Sequence, residues 1–154
     1  MMKIKFYESY SKVNISPGDV KGITLLSVDE YRYNSGLIPH INESWWLRTP
    51  GYYAHSAAYV GMYGSLSKGG YSVTVENMAV RPALLINSSS ITLDYGDEFT
   101  LFDHEWIVLR TKYRNKYMAI CKDYLFKDCF TKSKGNGYNS SDIKKKIEDW
   151  LCDQ

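Results

Sequence analysis

The stretch from Trp45 to Leu85 constrains this chain more than any other, because two apolar motifs bracket a segment of opposite character. The opening motif, WWLRTPG, sets Trp45 and Trp46 beside Arg48, whose five guanidinium donors can tie distant backbone carbonyls together. Thr49-Pro50-Gly51 then ends the strand that the motif predicts. The closing motif, AVRPALLI, is an apolar run with a single Arg and a single Pro. It reads as a buried strand holding Arg81, with Pro82 at an edge, bulge or end. Residues 52–77, between the motifs, build no obvious core. Tyr52, Tyr53, Tyr59, Tyr63 and Tyr71 alternate there with His55, Met62, serines and glycines, a composition like that of an antibody paratope.

A chain of 154 residues suffices for one domain with a proper core and is short for two, so a single domain over 1–154 is expected. Residues 1–95 carry the WWLRTPG and VRPALL frame, and 96–154 supply a strand hairpin and a C-terminal helix. A net charge of +2 is not the footprint of a nucleic-acid binder. The cysteines, Cys121, Cys129 and Cys152, are odd in number and lack metal-ligand spacing, which fits a reducing compartment better than a secreted disulfide framework. No signal-peptide or membrane-span pattern occurs, so the expected location is the cytoplasm of a host cell or a virion, with no membrane partner.

Along the chain, Lys3–Tyr7 reads as an edge strand, Ser16-Pro17-Gly18 as a turn, and Gly22–Val28 as a core strand running into a helical turn or a brief helix at Asp29-Glu30-Tyr31. Gly36 and Pro39 make residues 34–44 a loop. HEWIVLRTK and KYMAICKDY read as an antiparallel hairpin turning at Arg114-Asn115. Gly135 to Tyr138 is a loop, after which Ser140 or Ser141 caps a helix reaching Leu151, with Ile143, Ile147, Trp150 and Leu151 on its docking face. The expected class is α+β.

WWLRTPG, AAYVGMYGSL and VRPALLI, with LLSVDEY upstream at residues 25–31, closely resemble a group of bacterial and phage domains of unassigned function. That group is marked by Trp-Trp-Leu-Arg-Ser-Pro-Gly, Ala-Ala-Tyr-Val and Val-Arg-Pro-Ala-Leu. The resemblance covers residues 24–86 and implies a C-type-lectin-like fold, similar to the formylglycine-generating enzymes and to the variable proteins of diversity-generating retroelements. It further implies that Trp46, Arg48, Arg81 and Pro82 are framework and that residues 52–77 form a displayed ligand face. In the usual arrangement the EWIVL and YMAIC strands and the helix precede the Leu-Leu-Ser segment. Here they follow VRPALLI, so the order is that of a circular permutation, which folds with close termini tolerate.

Two readings of the tyrosines compete: a half-buried cover over a sheet, or a contact surface. The second is preferred, because rigid aromatics interleaved with Gly and Ser give contact area at low entropic cost. His40, His55 and His104 lie far apart without zinc-binding spacing, and the sugar-binding triplets of calcium-dependent lectins are absent, so neither metal nor cofactor is expected. Cys121 and Cys129 read as buried structural thiols, and Lys144, Lys145 and Lys146, flanked by Asp142, Glu148 and Asp149, as a solvated helix face. The expected function is non-catalytic binding of a macromolecule through Tyr52, Tyr53, His55, Tyr59, Met62, Tyr63 and Tyr71, with Trp45, Trp46, Arg48, Gly51, Arg81 and Pro82 as the frame. A protein is the expected partner, with a glycan as a second class. Narrower forms are a phage or mobile-element inhibitor that blocks a host defence protein such as a CRISPR nuclease, and a virion or cell-surface adhesin.

Overall fold

The computed structural model describes residues 12–89, 91–133 and 135–154, so the strand expected at Lys3–Tyr7 lies outside the described residues. The elements run β1 (Val20–Thr24), α1 (Val28–Asn34), β2 (Trp45–Pro50), β3 (Ser56–Val60), β4 (Leu66–Ser72), β5 (Met78–Val80) and β6 (Ala83–Ile86). They continue with β7 (Glu98–Leu101), β8 (His104–Tyr113), β9 (Lys116–Cys121), β10 (Phe126–Asp128) and α2 (Asp142–Cys152), and short 3-10 turns occupy Pro17–Asp19 and Tyr138–Ser140. One five-stranded sheet has the order β1-β6-β9-β8-β7, the other β10-β5-β2-β3-β4. Every pairing between these strands is antiparallel except that of β2 with β5. The class is mixed α+β, mostly antiparallel.

Strand alternation sends neighbouring side chains to opposite faces, and the tryptophan pair uses this to build two cores. Trp45 packs edge-on to Tyr31 at 5.5 Å in a cluster with Leu47, Val60, Ala79 and Ile120. Trp46 packs edge-on to Phe130 at 5.7 Å in a cluster with Ala57, Val80, Trp106 and Ile147, and its indole N–H donates to the Asp128 carbonyl at 3.0 Å. β2 is therefore buried on both faces, which makes it a central strand.

Each helix seals one of these clusters. α1 begins with a capping box, in which Ser27 Oγ accepts from the Glu30 amide and Glu30 accepts from the Ser27 amide. The helix runs on through Asn34, a residue expected in the following loop. Asn34 is fully buried: it donates to the Glu30 carbonyl at 2.8 Å and to Thr111 at 3.1 Å, and its Oδ1 accepts from the Arg110 amide at 2.6 Å. The β8–β9 register shifts between Val108 and Lys112, so the asparagine takes up an amide at the irregularity. α2 is capped by Ser141, buries Ile143 and Ile147, and brings Trp150 against Phe102, His104 and Trp106. Lys144 and Lys145 pair with Glu148 and Asp149 one turn on, whereas Lys146 reaches Asp128 on β10 and so leaves the solvated face expected for all three lysines.

The β8–β9 hairpin forms as expected, from Trp106↔Cys121 to Tyr113↔Lys116. Arg114 and Asn115 both have positive φ, 49° and 64°, and Phe102 and Asp103 repeat this at the β7–β8 turn with 56° and 63°. Two consecutive left-handed residues match the twist of the flanking strands, which favours a tight hairpin.

β9 lies between β6 and β8, so residues after Leu101 complete a sheet that β1 and β6 begin. A fragment of residues 1–95 would leave β6 with a bare edge and both clusters open. That fragment is expected to be insoluble or to give collapsed amide resonances. Dispersed resonances would mean that it folds alone.

Candidate functional site

The chain crosses between sheets at Arg81-Pro82, which joins β5 to β6, and Pro82 stands at a strand end where no ladder donor is needed. Arg81 is fully buried. Its Nε donates to the Cys121 carbonyl at 2.8 Å and one terminal nitrogen to the Lys122 carbonyl at 3.0 Å, while the guanidinium lies 5.0 Å from the centre of the Trp45 ring. Burial pulls its pKa down to about 10. The bridging of carbonyls expected of Arg48 is thus the work of Arg81. Arg48 instead grips the Glu30 carboxylate with both terminal nitrogens, at 2.6 and 2.9 Å, and reaches one carbonyl, that of Leu25, at 2.7 Å. Because Glu30 also closes the α1 cap, Arg48→Ala is expected to cost about 1–2 kcal/mol, measurable in a thermal melt.

Residues 52–77 do more than the sequence suggested. β3 sits between β2 and β4, and Ala57, Ala58, Val60 and the later Val73 are buried, so the segment contributes core as well as surface. AAYV hides this because a strand covered on both faces shows no alternation, and alanine gives little hydrophobic signal. Small residues are needed where the strands close up. A Cβ on Gly51 would come within 2.3 Å of the Gly69 carbonyl and Ser56 Oγ, and Gly70, at φ +87°, would place one 2.4 Å from the Ala57 carbonyl.

Two turns present Tyr52, Tyr53, His55, Met62 and Tyr63, whereas Tyr59 lies on β3 and Tyr71 on β4. At one end of β3, the turn of residues 51–55 is pinned by the Gly51 amide to the Ser56 carbonyl at 2.8 Å and by the Tyr52 amide to the Gly69 carbonyl at 3.0 Å. Asn136 of the C-terminal half adds bonds to the carbonyls of Tyr53 and Ser56. Tyr53 and His55 stack with centroids 6.3 Å apart, and Tyr52 rests against Gly69. At the other end, roughly 15 Å away by strand rise, the turn of residues 61–65 is closed by the Gly61 amide to the Ser65 carbonyl at 2.7 Å. The Tyr31 hydroxyl bonds the Gly64 carbonyl at 2.8 Å, and His40 packs over the same glycine. The side chains point outward: Tyr52 is 74% exposed, Tyr53 68%, Tyr63 83% and Tyr71 51%. Tyr59 differs, being half-buried against the core and edge-on to Tyr71 at 6.0 Å. Tyr59, Met62 and Tyr71 line one shallow groove of about 250 Å³ with Glu43 and Asn77. The seven candidate contact residues therefore form a groove, a stacked pair and two projecting rings rather than one patch.

The structure also joins groups that the sequence separates. Cys121 Sγ lies 3.8 Å from His104 Nδ1, although seventeen residues part them, because Trp106↔Cys121 pairing aligns the strands. The thiol is buried, and burial pushes its pKa up to about 11, so it holds almost no thiolate near neutral pH. Cys129 is buried and raised as well, chiefly by burial, while Cys152 is exposed. At pH 8 the native chain is expected to release one equivalent from DTNB, at Cys152, and three after denaturation. Rapid release of a second native equivalent would mean that Cys121 or Cys129 opens to solvent.

Among the described residues no group of three His, Cys, Asp or Glu side chains is placed to hold a metal ion, and no helix is long and apolar enough to cross a membrane. No curated protein and no solved structure matches the chain. The profile of one protein family matches residues 12–88, half of the chain, spanning β1 to β6 and both framing motifs. The chain therefore belongs to the family described as Domain of unknown function (DUF6273).

Proposed function

We propose that this chain is a non-catalytic binding module that grips a protein partner through the tyrosine-bearing turns on either side of β3. The observation that carries the reading is the exposure of Tyr52, Tyr53 and Tyr63 on turns, and of Tyr71 on β4, where the backbone is already hydrogen-bonded. Exposed aromatic rings on a preorganised backbone lose little entropy when a partner covers them. Half-buried Tyr59 and the neighbouring Met62 supply an apolar floor between the projecting rings. Burial of the thiol argues against nucleophilic use of Cys121.

In the same reading the fold is a C-type-lectin-like one with permuted chain order. Its support is the packing of α2 against β1, which sets the C-terminal helix beside the strand that leads into the Leu-Leu-Ser segment, as the permuted order requires. Capture from a host lysate tests the binding reading, with wild type compared against a variant carrying Tyr53→Ala and Tyr63→Ala. Wild type should retain a protein that the variant loses; identical captured sets would sink the reading. The identity of that protein separates a blocked host defence factor from a surface receptor.

A further inference from the structure

Two grooves meet at the Thr49-Pro50 end of β2. The larger, about 870 Å³, lies between α2, β1 and the β8–β9 turn, and its charged lining is Arg48, Arg114 and Lys144 against Glu148. The smaller, about 320 Å³, carries Arg32 and Lys68 against Asp29. Thr49 and Pro50 line both, so the two grooves share a wall there and together make a two-part trough. Two of its cations are already matched, Arg48 by Glu30 at 2.6 Å and Lys144 by Glu148 at 2.7 Å. Arg32, Lys68 and Arg114 have no carboxylate partner among the described residues, and all three are exposed.

We propose that this trough binds an extended, carboxylate-rich segment of a protein, with Arg32, Lys68 and Arg114 as its charge contacts. A guanidinium fork matches a carboxylate in shape as well as charge, and three cations without a carboxylate partner, spread over adjoining grooves, suit a chain of acidic side chains better than one compact anion. Single-stranded nucleic acid is the weaker occupant, because it needs free rings on which successive bases stack. The Tyr113 ring is engaged by two guanidiniums, with Arg48 5.1 Å and Arg114 5.2 Å from its centre, and the Tyr138 hydroxyl is buried. Among the described lining residues Tyr52 alone offers an open ring.

The test is a fluorescence-anisotropy titration of the full chain with a labelled oligoglutamate peptide at low salt, which needs no partner of the tyrosine turns. Wild type should bind saturably, and Lys68→Ala with Arg114→Ala should weaken binding at least about tenfold without moving the melting temperature. A control double variant, Lys127→Ala with Lys145→Ala, removes the same charge outside the trough and should bind within about twofold of wild type. Absence of saturable binding would overturn the proposal, as would equal losses in the two double variants, which indicate net charge alone. Tighter binding of oligothymidylate through Lys68 and Arg114 would overturn it in favour of nucleic acid.

Discussion

Arg81→Ala is expected to destabilise the fold by about 3–5 kcal/mol, a large part of the 5–15 kcal/mol that holds an ordinary domain. Among the described residues its guanidinium is the only side chain bonding the buried Cys121 carbonyl and the half-buried Lys122 carbonyl where the chain passes from one sheet to the other, and it also packs over Trp45. Alanine would leave both carbonyls without that donor and a cavity under the indole, so the two costs add. For a chain of this size the melting temperature should fall by roughly 10 °C or more. Arg81→Lys is a useful companion, because it keeps the charge but not the planar fork that serves two carbonyls and stacks on a ring. It should recover less than half of the loss. A melt of Arg81→Ala within about two degrees of wild type would mean that the junction is held by strand pairing alone.

The contrast between the two arginines explains what the sequence could and could not convey. Both sit in apolar runs, and both read as framework. Only the three-dimensional pairing reveals that Arg48 meets a carboxylate eighteen residues upstream while Arg81 meets carbonyls forty residues downstream. The β8–β9 hairpin and α2 were legible because their signals are local: alternating β-branched and aromatic residues about a tight turn, and a serine cap before an apolar stripe. β3 was not legible as core. Its partners flank it on both sides, and their burial of two alanines depends on glycines at 51 and 70 that approach the neighbouring backbone. Asn34 was lost for a similar reason, since a polar residue between a helix and a glycine looks like loop unless the irregularity that it satisfies on β8 is known.

The same contrast sorts the tyrosines. Paratope-like composition singled out residues 52–77 as a whole, yet exposure divides them: Tyr59 belongs partly to the core, whereas Tyr52, Tyr53, Tyr63 and Tyr71 project. Interface energy concentrates in a few central aromatics, so truncation of the best of the projecting rings should cost on the order of 2 kcal/mol or more, about thirtyfold in affinity. Exposed rings contribute little to folding, and the variants at Tyr52, Tyr53 and Tyr63 should melt within about two degrees of wild type. Tyr59→Ala should behave oppositely, losing about 1–3 kcal/mol of stability because its ring packs on the core and against Tyr71.

The most direct measurement takes the captured partner and compares its affinity and the melting temperature across five single alanine variants, at Tyr52, Tyr53, Tyr59, Tyr63 and Tyr71. The binding account predicts at least one projecting tyrosine whose loss weakens the partner about thirtyfold while leaving the melt unchanged, with the stability loss confined to Tyr59 and, to a smaller degree, Tyr71. Unchanged affinity in all of the projecting variants would contradict it, and a stability loss in each of them would assign these rings to the cover of the sheet.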